Sequence, residues 1–400
     1  MTGNAAITGV GQTGYGGEVT ETYAELANQA ATEALADANI EMDDLDAVVV
    51  AHAPEAFIGV AHPERWVADY IGANNKPAMR IHTGGSTGGS AAQAGYYHVA
   101  SGRYDNVLVV GAEKIKENKS PQTVLNAIWD PVTEKPFGLN AINMTAFQAV
   151  RYMEQYGATR EDFARVAVRH RENGARNPNA HVSERVTVEE VLEASMLSWP
   201  IGLHDSCPSS AGGCAIVVSS EESVEQRDAK TAWFTGVGFR SDSYYMGDRM
   251  GNSTDMGPAD SDHANYDYLA EAADDVCDMA GIEDPLEEFD VAELYAPFTC
   301  NEFMIAEAIG LSEKGKAAEA NREGRFDMDG EVPINPSGGT LCANPIAVTA
   351  LARVAEAALQ LHGTAGDRQV PDAESAVTTG PGGSHQFHAI TTFQTEKPEQ

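Results

Sequence analysis

Hydrophobic positions along this chain recur with two periods, and the two alternate. Ile7-Thr8-Gly9-Val10-Gly11 is a short strand pattern closed by a glycine turn. From Tyr23 to Ala38 an alanine-rich stretch carries its apolar residues at helical spacing. Leu45-Asp46-Ala47-Val48-Val49-Val50 then reads as a buried strand. The succession returns later as Phe234-Thr235-Gly236-Val237-Gly238, an amphipathic helix from Tyr268 to Ala280, and a strand pattern from Phe289 to Leu294. Asn39 and Gly281 close the two helices, and both suit the left-handed residue at a helix C-terminus. A fourth element agrees. Gly84-Gly85-Ser86-Thr87-Gly88-Gly89 precedes an alanine-rich helix, as Pro336-Ser337-Gly338-Gly339-Thr340 precedes the helical stretch Ala347 to Leu361. Four elements in one order predict an α/β unit written twice, with halves at 1–230 and 231–400.

The first copy carries an insertion, roughly Glu117 to Trp199. It holds Trp129-Asp130-Pro131, a helix from Asn143 to Tyr156, another from Arg160 to Gly174, and a third pattern from Val188 to Leu197. That third pattern starts after Thr187, with Glu189 and Glu190 in its first turn. Asp205 to Ser220 returns to the sheet and ends in a strand from Ala215 to Val218. Thr395 to Gln400 reads as a frayed tail.

A length of 400 residues is more than one core usually supports, which agrees with two halves. Charge changes the picture more. The chain has 60 acidic residues against 26 basic ones, a net charge of −34, spread between apolar positions along its whole length. A whole-surface adaptation to high salt fits this better than a disordered tail, because screening over about 3 Å at 1 M salt removes the self-repulsion. The same charge argues against nucleic acid and anionic membranes as partners. No apolar run reaches about 18 residues, and Met1-Thr2-Gly3-Asn4 does not open a signal peptide, so a cytoplasmic protein is expected. Cys207, Cys214, Cys277, Cys300 and Cys342 have no metal-ligand spacing, so free thiols and no metal are expected. Gly9, Gly11, Gly236 and Gly238 do not form a dinucleotide fingerprint.

Four further segments carry a family resemblance. They are Ala100-Ser101-Gly102-Arg103-Tyr104-Asp105-Asn106 running into Val107-Leu108-Val109-Val110-Gly111-Ala112-Glu113-Lys114, Thr159-Arg160-Glu161-Asp162-Phe163-Ala164, Pro200-Ile201-Gly202-Leu203-His204-Asp205-Ser206-Cys207-Pro208 with Ala211-Gly212-Gly213-Cys214-Ala215, and Asn335-Pro336-Ser337-Gly338-Gly339. Over nearly its whole length the chain resembles the thiolases, in particular their sterol-carrier-protein-type and archaeal branch. The resemblance implies a duplicated, five-layered αβαβα fold with an inserted loop domain that covers the tail of coenzyme A. It also implies a homo-oligomer, acyl-CoA substrates with coenzyme A as co-substrate and no bound cofactor. In the archaeal branch it implies a small zinc-ribbon and OB-fold partner subunit.

Thiolase chemistry needs an acyl-accepting thiolate, a base, a second acid/base and an oxyanion hole. The chain departs from the family at all four loops. Gly85 stands where the nucleophilic cysteine belongs. Ser86, one residue on, sits at a helix N-terminus, where it is either a substitute acyl acceptor or a helix N-cap. Tyr295, within Glu293-Leu294-Tyr295-Ala296-Pro297-Phe298, replaces an Asn or His. It serves as acid/base or oxyanion donor, as in thiolase-fold retro-aldolases, or is a core-edge tyrosine with a satisfied hydroxyl. Asn344, within Ala343-Asn344-Pro345, replaces the histidine of Gly-His-Pro; it can donate to an oxyanion but is no base, and its alternative is turn chemistry. Thr378-Thr379-Gly380-Pro381-Gly382-Gly383 lacks the family's fourth group, and His385 and His388 follow it, with His385 a candidate base. Cys300 and Cys342 are either displaced thiols or inert core cysteines. His82 is expected in the core.

Three functions follow. The first is a 3-ketoacyl-CoA acyltransferase, like the catalytic subunit of two-subunit β-ketothiolases of salt-loving archaea, with Ser86 as acceptor, His385 or His388 as base and Asn344 at the oxyanion. The second is a retro-aldol carbon–carbon lyase on a CoA thioester, built on Tyr295 and Asn344. The third is a non-catalytic CoA-binding subunit.

Overall fold

A computed structural model describes residues 3–249 and 262–399. Strands β1 (Ala5–Gln12), β2 (Ala47–Ala51), β3 (Ala78–Ile81), β4 (Asn106–Lys114), β5 (Met196–Ser198), β6 (Ile201–Gly202), β7 (Ala211–Ser220), β8 (Ala232–Ser241), β9 (Val291–Glu293), β10 (Ser375–Gly382) and β11 (Phe387–Gln394) alternate with helices. All but β5 and β6 form one nine-stranded mixed sheet in the order β3-β2-β4-β7-β1-β8-β11-β10-β9. The order repeats about its middle. In the first half β2 lies parallel to β4, which meets β7 and then β1 antiparallel. In the second, β9 lies parallel to β10, which meets β11 and then β8 antiparallel. The counterpart of β3 is reduced to a single bridge from Ile334 to Ala292.

The predicted helices appear at Tyr23–Asp37, Asp267–Ala280, Ala141–Tyr156, Arg160–Gly174 and Ile346–Leu361. Asn39 and Gly281 are left-handed at φ 53° and 71°, as their positions demand. Of the 16 residues of Ile346–Leu361, only Ile346 and Leu359 are not buried. A helix enclosed on all sides belongs to a central layer. Its partner there is Thr87–Ala100, and the two touch backbone to backbone. A Cβ at Gly88 would lie 2.2 Å from the Leu351 amide nitrogen, so only glycine permits the crossing.

Two expectations fail. The helix begun by the Thr187 capping box ends at Glu193, not near Leu197, and Met196–Ser198 instead forms a small hairpin with Ile201–Gly202. Ala194 already leaves the helical region, at φ −60° and ψ 157°, and the chain turns extended into the hairpin. His82 is exposed rather than in the core, because β3 is the edge strand and its end faces outward.

Candidate active site

The loop that follows β9 is fixed by buried polar contacts. Asn335, itself left-handed at φ 54°, accepts the Leu294 amide hydrogen at 2.7 Å. The Glu293 carboxylate accepts from the Ser337 amide at 3.1 Å and its hydroxyl at 2.8 Å, and is ion-paired with Arg353. Tyr295 follows them, its amide donating to Thr379 Oγ1 at 3.3 Å. Asn344 is tied at its backbone to Ser210, whose Oγ accepts the Asn344 amide hydrogen at 2.9 Å and whose own amide donates to the Asn344 carbonyl at 3.2 Å.

These loops meet the Gly84–Ser86 turn and the β10–β11 turn around a cavity of about 260 Å³. Its polar wall includes Cys207, Tyr295, Asn344 and His385. Its apolar wall includes Phe57, Ile115, Leu125, Met144, Phe298 and Ile346. The Tyr295 hydroxyl donates to Asn344 Oδ1 at 3.0 Å, the Thr349 hydroxyl donates to the same oxygen at 2.7 Å, and Asn344 Nδ2 donates to Cys207 Sγ at 3.0 Å. Burial raises the Tyr295 phenol far above its ordinary range and pushes the Cys207 thiol up to about 12. Both therefore keep their protons at neutral pH.

His385 lines the cavity, left-handed at φ 57° and stacked on Tyr266 with ring centroids 5.5 Å apart and planes within 3°. Burial, then Arg249 and His263, lower its imidazole to about 3, so it is neutral. Its Nδ1 is buried without a hydrogen-bond partner among the described residues. His388 lies behind it, fully buried and outside the cavity wall. The Tyr268 hydroxyl bridges the two, 2.7 Å from the His385 carbonyl and 2.6 Å from His388 Nδ1. One hydroxyl has one proton. Donation to the carbonyl leaves His388 to donate from Nδ1, which places His388 in a fixing role.

Ser86 is fully buried, and its hydroxyl donates to Thr83, 2.9 Å from the carbonyl oxygen and 2.8 Å from Oγ1. It makes no side-chain cap to the following helix and does not line the cavity. Gly85 does line it. A Cβ there would lie 2.7 Å from the Pro381 carbonyl oxygen and 3.6 Å from the Tyr295 hydroxyl. The place a nucleophilic side chain would take is thus closed by the β10 backbone and faces the phenol. Cys300 and Cys342 are buried away from the cavity, the latter with Sγ 3.2 Å from the His170 carbonyl. The thiol at the cavity wall is Cys207, a residue the sequence had offered only as one of five free cysteines. Its segment was visible as the return to the sheet, but nothing along the chain ties it to Asn344. Among the described residues no group of three or more His, Cys, Asp or Glu could hold a metal ion, and no helix is long and apolar enough to cross a membrane.

Comparison with known proteins identifies the family. Residues 4–190 match the family described as Thiolase, N-terminal domain, and residues 253–395 the one described as Thiolase C-terminal domain-like. The acetyl-CoA acetyltransferase of Methanothermobacter thermautotrophicus is 30% identical, over 98% of this chain and 99% of that protein. Human sterol carrier protein 2 is 27% identical, over 98% of this chain and 72% of that one. Among solved structures, the Ltp2-ChsH2(DUF35) aldolase superposes with a TM-score of 0.82 at 26% identity, over 99% of both chains.

Proposed function

This chain belongs to the thiolase family, and from that premise we propose that it is a carbon–carbon lyase that cleaves a 3-hydroxyacyl-CoA thioester by retro-aldol chemistry, with no acyl-enzyme. The observation that carries this is Gly85. The nucleophile's place has no side chain and no room for one, and it faces the Tyr295 phenol at 3.6 Å from where a Cβ would stand.

In this reading His385, neutral with an unshared electron pair, takes the proton of the substrate's 3-hydroxyl. The bond between C2 and C3 breaks, C3 becomes a carbonyl, and the electron pair passes into the thioester enolate. The Asn344 amide and the Tyr295 hydroxyl donate to the enolate oxygen. His385 then returns its proton to C2, so the products are an aldehyde or ketone and a shortened acyl-CoA. The apolar wall of Phe57, Ile115, Leu125 and Met144 suits a hydrophobic acyl chain, with rates rising with chain length up to the size of the cavity. A small second subunit belongs with this reading, since the solved relative is an assembly named with ChsH2(DUF35).

The test is to incubate the protein, alone and with any co-purifying subunit, with 3-hydroxyacyl-CoA in the absence of free coenzyme A. Carbonyl product released without an acyl adduct in the intact mass supports the lyase. A strict need for free coenzyme A together with an acyl adduct overturns it. That outcome would favour the second reading, a 3-ketoacyl-CoA acyltransferase, which rests on the 30% identical acetyltransferase. Its acyl acceptor at the cavity wall would be Cys207, whose thiol burial pushes to about 12, an unfavourable state for a nucleophile.

A further inference from the structure

We infer that Thr349 is the positioning residue of this site: its hydroxyl fixes which end of the Asn344 amide faces the cavity. An asparagine side chain has an acceptor end and a donor end of nearly equal size, and a half-turn about its last bond exchanges them. Only the donor end can hold an enolate oxygen. At Asn344 the choice is settled by two hydroxyls on one side. Thr349 Oγ1 donates to Oδ1 at 2.7 Å and the Tyr295 hydroxyl at 3.0 Å, which leaves Nδ2 toward the cavity, where it meets Cys207 Sγ at 3.0 Å.

The two donors differ in permanence. Tyr295 lines the cavity and, in the reaction proposed above, turns its hydroxyl to the substrate. At that moment it stops holding Asn344. Thr349 is buried, lies outside the cavity wall and sits in the central helix Ile346–Leu361. Its hydroxyl is the contact that remains. The helix begins two residues after Asn344, so the side-chain amide is held by the helix and the backbone by Ser210. The donor end that Thr349 leaves toward the cavity finds its acceptor in Cys207 Sγ, at the cavity wall.

The role of Asn344 rests on the lyase reading, but the orientation of its amide does not, and Cys207 reports on it directly. The Nδ2 hydrogen bond favours the thiolate of Cys207. Thr349→Val keeps the shape and removes the donor, so the amide is free to turn. Alkylation of Cys207 by iodoacetamide, followed by peptide mass spectrometry, is then expected to slow about fivefold to tenfold, since one unit of thiol pKa is tenfold in thiolate. Turnover of 3-hydroxyacyl-CoA is expected to show kcat about tenfold lower with KM within about twofold, and Thr349→Ser restores both. If Thr349→Val does not fold, Thr349→Ala is read in the same two ways. Unchanged alkylation of Cys207 in a folded variant overturns the proposal. Slowed alkylation with unchanged kcat upholds the positioning and removes Asn344 from the chemistry.

Discussion

The turn that opens helix Thr87–Ala100 and the turn that leads into helix Ile346–Leu361 occupy matching places in the two halves, and they have been put to different uses. The first, at Gly84–Ser86, contributes backbone. Gly85 has no side chain, and the Ser86 hydroxyl is spent on Thr83. The second, around Asn344, presents an amide whose two ends are both engaged. Tyr295 and His385, which line the same cavity, also come from the second half. The duplicated fold keeps its two central helices in contact through Gly88, and in the reading proposed above its acid–base and oxyanion groups stand on one side. In that lyase reading, this asymmetry is what distinguishes the site from one built on a first-half acyl acceptor.

The sharpest way to break that comparison is Tyr295→Phe. If the second half carries the chemistry, removal of the phenol hydroxyl takes a donor from the enolate oxygen and lowers kcat for 3-hydroxyacyl-CoA cleavage about a thousandfold, the upper end of what one such donor contributes. Thermal unfolding should move little. A variant that cleaves at the wild-type rate would return the site to the first half. Next in size is His385→Gln, expected to cost about a hundredfold. Its pH profile is informative in the wild type. The imidazole is lowered to about 3 by burial, from an ordinary 6.5, so cleavage should show no histidine limb near pH 6.5. A limb there that disappears in His385→Gln would contradict the buried, neutral state.

Much of this was legible in the sequence, for identifiable reasons. The repeat showed because strands and helices write their own periods, and Asn39 and Gly281 mark helix ends that need a left-handed residue. Tyr295, Asn344 and His385 stood out because they lie in or just after the loops where the resemblance to the thiolases places functional groups. The Val188–Leu197 pattern misled because the apolar residues past Glu193 serve a hairpin with the period of a strand. The direction of the Ser86 hydroxyl was not legible, since a short polar side chain at a helix start can bond forward or backward equally well. Cys207 was beyond reach because its partner Asn344 lies 137 residues away.

Ser86→Ala turns that ambiguity into a smaller, two-sided measurement. Turnover should stay within roughly twofold, while urea unfolding should show a loss of about 1 kcal/mol from the hydrogen bonds to Thr83. Lost turnover with the fold intact, together with an acyl adduct mapped to Ser86 in the wild type, would make Ser86 the acyl acceptor after all.

The buried acids, where the halves differ again, are expected to leave turnover alone and to act on stability only. In the second half Glu302 is buried, which by itself raises its carboxyl, but Arg169 and His170 outweigh burial and hold it below the ordinary range. In the first half Glu113 is as fully buried, at the end of β4. Its Oε2 lacks a hydrogen-bond partner among the described residues, and its neighbour His52 lies 3.9 Å away. Burial pushes the Glu113 carboxyl from 4.5 up to about 8. The folded chain therefore binds this proton more tightly than the unfolded chain does. The stability it represents is complete below pH 4.5 and is lost as pH rises through 8. Glu113→Gln is neutral at every pH and escapes that loss. Its melting temperature, compared with wild type between pH 5 and pH 9, should pull ahead by a widening margin up to about pH 8 and then run parallel. A margin that narrows over the window would mean that Glu113 is ionised in the fold and finds a cationic partner there, which would make the two halves alike in how they treat a buried acid.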